Sequence, residues 1–451
     1  MLRRIGLSNF KCWKELDIEL APITLLFGAN SSGKSAILQS LMMLKQTAQS
    51  FDPGQHINFG GTERDYVDLG SYRDLANEHD TECKLGVRLT WDSSRSGTSI
   101  TRHDDGSVDI REYTFQSIEY DVVLGLDTAV YIEKLRYDTE FVDASPEWID
   151  VRRAQENKYR WTSSYSKHRE DQSAVSSPTR CYILPWEITS RPPSAVWDSS
   201  SLLAGEFVRL FDSVEYLGPL RIRPQRFYLW TGTNPDKINS DGANAIEALI
   251  ASSRSHEVLA NRVASGITGM ALVDAFCIRT INESRGLYEV TATIGGVESS
   301  LSDVGFGVSQ ILPVITMLMF VPKGSIILLE QPELHLHPNA QAALADLMLD
   351  VAEKRNLQLI VESHSEHIVR RLQRRIAEAS PAFAKPENIK MYYCQPGEGG
   401  ATIDEVVVDR FGQIVDWPEK FMGDISGDLH TMLKAALERR SQELERVGSG
   451  S

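Results

Sequence analysis

Hydrophobic and polar positions change their period several times along the chain, and each change marks an element. LRRIGL and LDIEL alternate apolar with polar residues, which predicts strands over Leu2–Leu7 and Leu16–Leu20. Ile23–Phe27 is apolar throughout and reads as a strand buried on both faces. Past the glycine-rich GANSSGKS, Ile37, Leu38, Leu41, Met42 and Leu44 recur at helical spacing. Residues 52–80 are dense in Gly, Asp and Asn and read as a loop-rich passage. From Lys84 to about Tyr182 short alternating runs dominate (KLGVRLTW, SIEYDVVLGL, AVYIEKLRYDTEF), predicting antiparallel β-structure. Within it the polar stretch Ser163–Pro178 is expected to be a mobile loop.

Helical spacing returns from about Leu202 in SLLAGEFVRLF, GANAIEALIASS and HEVLANRVASG. GLYEVTATIGGVESSL predicts a hairpin turning at Gly295-Gly296. An apolar helix (GVSQILPVITMLMF), a buried strand (GSIILLE), an amphipathic helix (PNAQAALADLMLDVAEKR), a second buried strand (LQLIVES) and another helix (EHIVRRLQRRIAEA) follow. Helices alternating with all-apolar strands call for a mainly parallel, covered sheet. NIKMYYCQPGEGGATIDEVVVD predicts a hairpin, and a C-terminal helix starts at about Asp428. The expected class is therefore α/β: a mixed sheet with helices on both faces, an antiparallel β-rich insertion and a helical lobe. Residues 1–94 and 301–385 would form the two parts of one head. Residues 95–200 would be the insertion, 201–300 the helical lobe and hairpin, and 386–447 the final hairpin and helix. GSGS at 448–451 reads as an appended linker.

Composition narrows the function. A formal charge of −15 over 451 residues argues against a surface that grips phosphates everywhere, though a local basic stripe is compatible with it. Cys12, Cys83, Cys181, Cys277 and Cys394 form no C-x-x-C pair, so neither a zinc knuckle nor a disulfide framework is indicated, and a reducing cytoplasm is expected. MLRRIGLSNFKCW lacks the apolar region of a signal peptide, and ILPVITMLMFV is about half a membrane span.

Two motifs carry chemistry. Gly28-x4-Gly33-Lys34-Ser35 is a complete P-loop placed between a strand and a helix. Asn30, Ser31, Ser32, Gly33, Lys34, Ser35 and Ala36 would line ATP: backbone N–H groups cradle the phosphates, Lys34 reaches the β- and γ-phosphates, and Ser35 ligates Mg²⁺. Ile326–Glu330 is a buried strand ending in a carboxylate, a Walker-B strand in which Glu330 would bind Mg²⁺ directly or through water.

The two motifs stand at opposite ends of the chain, whereas in RecA-like and AAA+ modules the acid follows the loop closely. A Gly/Ser segment before the acidic strand and a histidine beyond it make the chain resemble the ABC-type ATPases. Within these it is most similar to the Rad50/SMC/RecF/OLD branch, without the TOPRIM domain. FGANSSGKSAILQSLMMLKQ, DLGSYRDL, YLGPLRIRPQRFY, LSDVGFGVSQILPVI, EQPELHLHP and ESHSEH resemble one bacterial AAA-type family of that branch. The resemblance covers nearly the whole chain and is weakest from about 95 to 200.

It implies that Leu301–Gln310 is a signature loop whose helix N-terminus meets the γ-phosphate of ATP held by another subunit. Gly305 and Gly307 would allow close backbone approach, and Ser309 with Gln310 would begin the helix. Gly305 falls where LSGGQ has its serine, which leaves Ser302 and Ser309 as rival hydroxyls. The implied working unit is a homodimer, or higher homo-oligomer, of head-to-tail heads with ATP sandwiched between them. His364 takes the switch position beside the γ-phosphate or the attacking water. His335 and His337 begin the D-loop; a transition-metal cluster of these two with His364 and His367 is a rival reading that no cysteine supports.

Gln331 stands where a catalytic glutamate is usual. A carboxamide cannot take a proton, and general-base assistance is typically worth roughly 10²–10⁴ in rate. Glu333 could substitute, Glu330 could act on water while Ser35 and the phosphates hold the metal, or hydrolysis is slow and ATP serves as a clamp. Slow hydrolysis with Glu333 and His364 assisting is the expectation. Arg221, Arg223, Arg226 and the Arg370, Arg371, Arg374, Arg375 group read as a solvated or ion-paired face, with nucleic acid, a partner or the opposite subunit as the rival contacts.

Three functions fit such a chain. One is an ATP-dependent switch controlling an effector such as a nuclease or toxin in anti-phage defence, as the Septu-type ATPase subunit would be. Another is a RecF-like ATPase that clamps DNA. The third, an OLD-type nuclease, needs a TOPRIM glutamate and a D-x-D pair, and no D-x-D follows His364.

Overall fold

The computed structural model describes residues 1–415 and 434, apart from 53, 64, 103–106, 143, 165–174, 190–195 and 256–257. Apart from residue 434, the expected helix from about Asp428 lies outside the described residues, as do the tail at 448–451 and most of the Ser163–Pro178 stretch.

The chain opens with β1 (Leu2–Phe10), β2 (Trp13–Glu19) and β3 (Ile23–Gly28), then α1 (Lys34–Gln49) and the short α2 (Tyr72–Leu75). Six strands follow: β4 (Leu85–Asp92), β5 (Ser96–Arg102), β6 (Val108–Leu126), β7 (Val130–Phe141), β8 (Glu147–Gln155) and β9 (Lys158–Ser163). After α3 (Trp186–Thr189) and α4 (Val196–Asp212) come β10 (Val214–Leu217), β11 (Tyr228–Leu229), α5 (Ala245–Ser255), α6 (Val258–Gly269), β12 (Ala275–Asn282), β13 (Leu287–Ile294) and β14 (Val297–Ser300). The last part holds α7 (Phe306–Phe320), β15 (Ile326–Glu330), α8 (Pro338–Arg355), β16 (Gln358–Glu362), α9 (Glu366–Glu378), β17 (Ile389–Gly397) and β18 (Gly400–Glu405).

A six-stranded sheet runs β10-β15-β16-β3-β17-β18. Its first five strands are parallel and β18 is antiparallel, closing the predicted hairpin. Side chains alternate across it, as a two-residue period requires. Leu26, Ile326, Leu328 and Ile360 join a core with α1, α4 and the antiparallel strands. Ile23, Leu25, Phe27, Ile327, Leu329, Leu359 and Val361 join a second core under α5–α9. Both faces are therefore dry, which is why these strands are apolar without alternation.

Two expectations change. The boundary at 94/95 falls inside one antiparallel sheet, ordered β2-β1-β4-β6-β7-β8-β9 with β5 on β6. β4, still within residues 1–94, pairs with β1 on one edge and with β6 of the insertion on the other, so the sheet runs across that boundary. The lobe at 201–300 also holds more strand than expected. β10 joins the parallel sheet, while β11 and β12 widen the predicted β13–β14 hairpin to four strands. Among the described residues no helix is long and apolar enough to cross a membrane.

Candidate nucleotide-binding site

The P-loop leaves β3 through two glycines that no other residue could replace without strain. Gly28 has φ 143° and a Cβ there would lie 2.1 Å from the Cys394 carbonyl oxygen on β17; Gly33 has φ 92° and a Cβ would meet Cys12 Sγ at 2.5 Å. The Gly33 carbonyl accepts the Trp13 indole N–H at 3.0 Å, fastening the loop to β2. α1 starts at Lys34, so its free N–H groups and positive end face the loop. Asn30 and Ser31 form the exposed crest, Gly33 and Ser35 are half-buried, and Ser32 and Ala36 are buried. Lys34 is buried and donates to the carbonyls of Gly28 (3.1 Å) and Ala29 (2.7 Å). Burial lowers its pKa, and the charge of Glu362 opposes that shift.

Glu362, which sequence reasoning passed over, is the carboxylate nearest this loop. Its Oε2 accepts the Ser35 hydroxyl at 2.7 Å, and its Oε1 lies 3.9 Å from Lys34 Nζ. Parallel pairing sets Glu330 opposite Glu362 at the ends of β15 and β16. Glu330 is buried and turns the other way, accepting the Tyr216 hydroxyl of β10 at 2.8 Å. Burial pushes its carboxyl up to about 7; the Tyr216 bond opposes the rise and the charge of Glu362 adds to it.

Gln331 adopts a left-handed backbone, φ 44°, with its N–H donating to the Glu362 carbonyl at 2.8 Å. Behind this turn lies Arg221, buried rather than solvated. It donates to the carbonyls of Glu330 (3.0 Å), Gln331 (3.3 Å) and Gln310 (3.4 Å), and burial pushes its pKa down to about 10. Glu333 is also buried. Its Oε1 accepts the His364 backbone N–H at 2.7 Å, while its Oε2 has no partner. The loops after β15 and β16 are thus strapped together, leaving the His364 side chain exposed. Desolvation and the Lys34 charge lower the His364 pKa.

Gly305 caps the N-terminus of α7, and a Cβ on Gly307 would lie 2.8 Å from the His335 carbonyl. The signature-like loop therefore packs on the D-loop, where the Phe306 and His335 rings meet edge-on at 4.9 Å. Ser309 is buried and donates to the Phe306 carbonyl at 2.8 Å, so its hydroxyl is spent within the helix. Ser302 remains partly exposed beside Asp303. On α9, Arg370 pairs with Glu366, Arg374 with Glu378, and Arg371 and Arg375 with Asp346. Arg226 pairs with Asp303.

Among the described residues no three His, Cys, Asp or Glu side chains form a metal-binding group, so His335, His337, His364 and His367 gain no support as a cluster. Magnesium is less demanding of protein, taking one or two carboxylates together with phosphate oxygens and waters. Ser35 Oγ and the two carboxylates, all oxygen donors, fit it.

A P-loop after one strand, an acid after another, and a third parallel strand between them define a P-loop α/β fold laid out like a nucleotide-binding site. Residues 23–370 match the family described as "AAA domain, putative AbiEii toxin, Type IV TA system". The chain belongs to that family. Residues 385–432 match a second family, described only as a protein of unknown function. An OLD nuclease from Thermus scotoductus (strain ATCC 700910 / SA-01) is 34% identical over 67 residues, which is 14% of this chain and 13% of that protein. Two solved structures resemble the chain along its length. The SMC head domain from Thermotoga maritima is 14% identical at a TM-score of 0.38, covering 90% of this chain and 99% of that one. The Smc head domain with an extended coiled coil bound to the C-terminal domain of ScpA, derived from Pyrococcus furiosus, is 9% identical at 0.38, covering 97% and 99%. Those scores are too low to bear on function.

Proposed function

We propose that this protein is a slow, Mg²⁺-dependent ATPase whose nucleotide state switches a homodimer and, through it, a partner effector such as a nuclease or toxin in anti-phage defence. One observation carries the nucleotide part: a glycine-cradled helix N-terminus with Lys34 and Ser35 converging on a buried carboxylate. Bound magnesium would supply charge neutralisation at the β- and γ-phosphates. Backbone N–H groups of residues 30–36 hold the phosphates, and Lys34 leaves its loop carbonyls to reach them. His364 orients the attacking water, and Glu333 holds the backbone of His364 in place. Gln331 offers no proton acceptor, which is why turnover is slow. Ser302 and the backbone at Gly305 and Gly307 would close the site of a second copy.

The family description names a putative toxin and a type IV TA system, which supports a toxin-linked role and names no effector. The ion pairing of the α9 arginines disfavours the DNA-clamp reading on that face. Steady-state ATP turnover by the full chain, with Lys34→Ala as background, tests the enzyme. Lys34-dependent multiple turnover is expected, and turnover equal to that of Lys34→Ala would overturn the reading. A steep salt dependence of DNA binding would instead favour the clamp.

A further inference from the structure

The outer face of the insertion carries a row of charge that the fold does not need. β7, β8 and β9 pair antiparallel, and their register sets Lys134 opposite Arg152 and Arg152 opposite Arg160. Paired residues point to the same side, so three cations stand in line across the sheet. Adjacent strands lie about 4.8 Å apart, and like charges directly opposite one another destabilise a sheet. Lys134 is relieved by Asp121 at 2.6 Å, and Arg152 by Asp150 at 2.8 Å. Arg160 is exposed and has no ion pair among the described residues. Neither has Lys158, exposed two residues earlier on the same side of β9.

Depth sorts these charges further. Asp150 is 4% exposed and also pairs with Arg136 at 3.5 Å, whereas the side chain of Arg152 is 66% exposed. What this patch offers to solvent is therefore positive, on a chain whose formal charge is −15. Trp148, in the same outward register of β8, is half-buried, and the Arg136 guanidinium lies 5.0 Å from its ring centroid. Arg136, Trp148, Arg152, Lys158 and Arg160 line one groove. A row of cations beside an aromatic ring suits a polyanion that carries flat rings between its charges. An acidic polypeptide would use the cations and leave Trp148 nothing to stack on.

We propose that this face of β7–β9 binds single-stranded nucleic acid, with phosphates on Arg152, Lys158 and Arg160 and a base on Trp148. The sheet order puts β9 at the opposite edge from β2, which fastens the P-loop. The inference goes beyond the nucleotide reading and does not rest on it, so a failure of ATP turnover leaves it standing. It also differs from the clamp, in which closing heads would hold duplex.

The experiment is fluorescence anisotropy of labelled short oligo(dT), oligo(U) and duplex DNA, titrated with the full chain over a range of salt. Three exposed cations predict a shallow log–log salt slope of about −2, at roughly 0.7 per phosphate contact on a single strand. Lys158→Gln with Arg160→Gln, which breaks no ion pair, should weaken single-strand binding about tenfold and flatten that slope by about 1.4. Trp148→Leu should weaken binding by about tenfold with the slope unchanged, because stacking releases no counterions. The ranking of oligo(dT) and oligo(U) tells whether the strand is DNA or RNA, and either supports the proposal. Arg160→Gln alone should melt at or above the wild-type temperature, since it relieves a like-charge pair; a lower temperature would count against the proposal by giving Arg160 a structural use. Single-strand binding that is absent, or unchanged in the double variant, would overturn the proposal. So would duplex bound more tightly than single strands, or poly-glutamate competing as well as oligo(dT), which would assign the face to duplex DNA or to an acidic polypeptide.

Discussion

At Gly33 a single methyl group would meet both a positive φ and the side chains of Cys12 and Trp13. Gly33→Ala is therefore expected to destabilise the fold by about 1–3 kcal/mol and to abolish nucleotide binding, as urea unfolding and analogue titration would show. Lys45 makes a different residue-scale case. Its ammonium is buried in α1 and donates to the carbonyls of Phe211 and Val214, and burial pushes its pKa down to about 8. The unfolded chain holds that proton up to about pH 10.5. Between about pH 8 and 10.5 the unfolded state therefore binds more protons, and stability rises with pH; below about pH 8 the cost of the buried charge is fully present. Wild type is expected to gain on the order of 2–3 kcal/mol relative to Lys45→Met across that window, measured by urea unfolding at each pH. Lys34 and Ser35 were legible in the sequence because a P-loop is a local pattern. Glu362 was not, because its partner Ser35 is far away along the chain and no spacing announces it.

Elements meet at the acidic turn, and two side chains tie them. Arg221 joins the segment after β10 to the end of β15 and the start of α7 through three carbonyls. Its planar fork suits that task, so Arg221→Lys should recover little of what Arg221→Ala loses. Arg221→Ala is expected to cost about 2–4 kcal/mol in urea unfolding, since buried carbonyls lose their donors. Glu333 joins the loops after β15 and β16 through the His364 N–H. If its work is positioning, Glu333→Gln should retain ATP turnover within a few-fold, because a carboxamide oxygen still accepts that N–H; Glu333→Ala should lower kcat by about tenfold or more with analogue affinity nearly unchanged. Turnover abolished in Glu333→Gln would make Glu333 the proton acceptor instead. The helices and strands of this region were read correctly from their periods. The burial of Arg221 was hidden, since in sequence it is one of three arginines within six residues.

For the whole molecule, the proposed dimer would bring the signature-like loop of a second copy onto the exposed crest of the P-loop at Asn30 and Ser31. Phe306 is 47% exposed beside Gly305 and Gly307, on the loop that the second copy would meet in the proposed dimer. Phe306→Asp is expected to remove ATP-induced dimerisation in light scattering while leaving analogue binding by the monomer intact. A dimer that forms equally well in that variant would place the contact elsewhere. At this scale the division between sequence and structure is sharp. The sequence by itself determined the glycine loop, the apolar strands, the helices that cover them and the acid that ends β15, because each is written in neighbouring residues through backbone freedom, period or charge. Only the tertiary structure decided that β1 and β2 share a sheet with the insertion, that Ser309 turns inward, and that β16 lies between the loop and Glu330. Strand order joins residues hundreds of positions apart through backbone hydrogen bonds, which every apolar strand can make with any other. Burial of both faces of the whole sheet selects among those pairings, and that is a property of the assembled molecule.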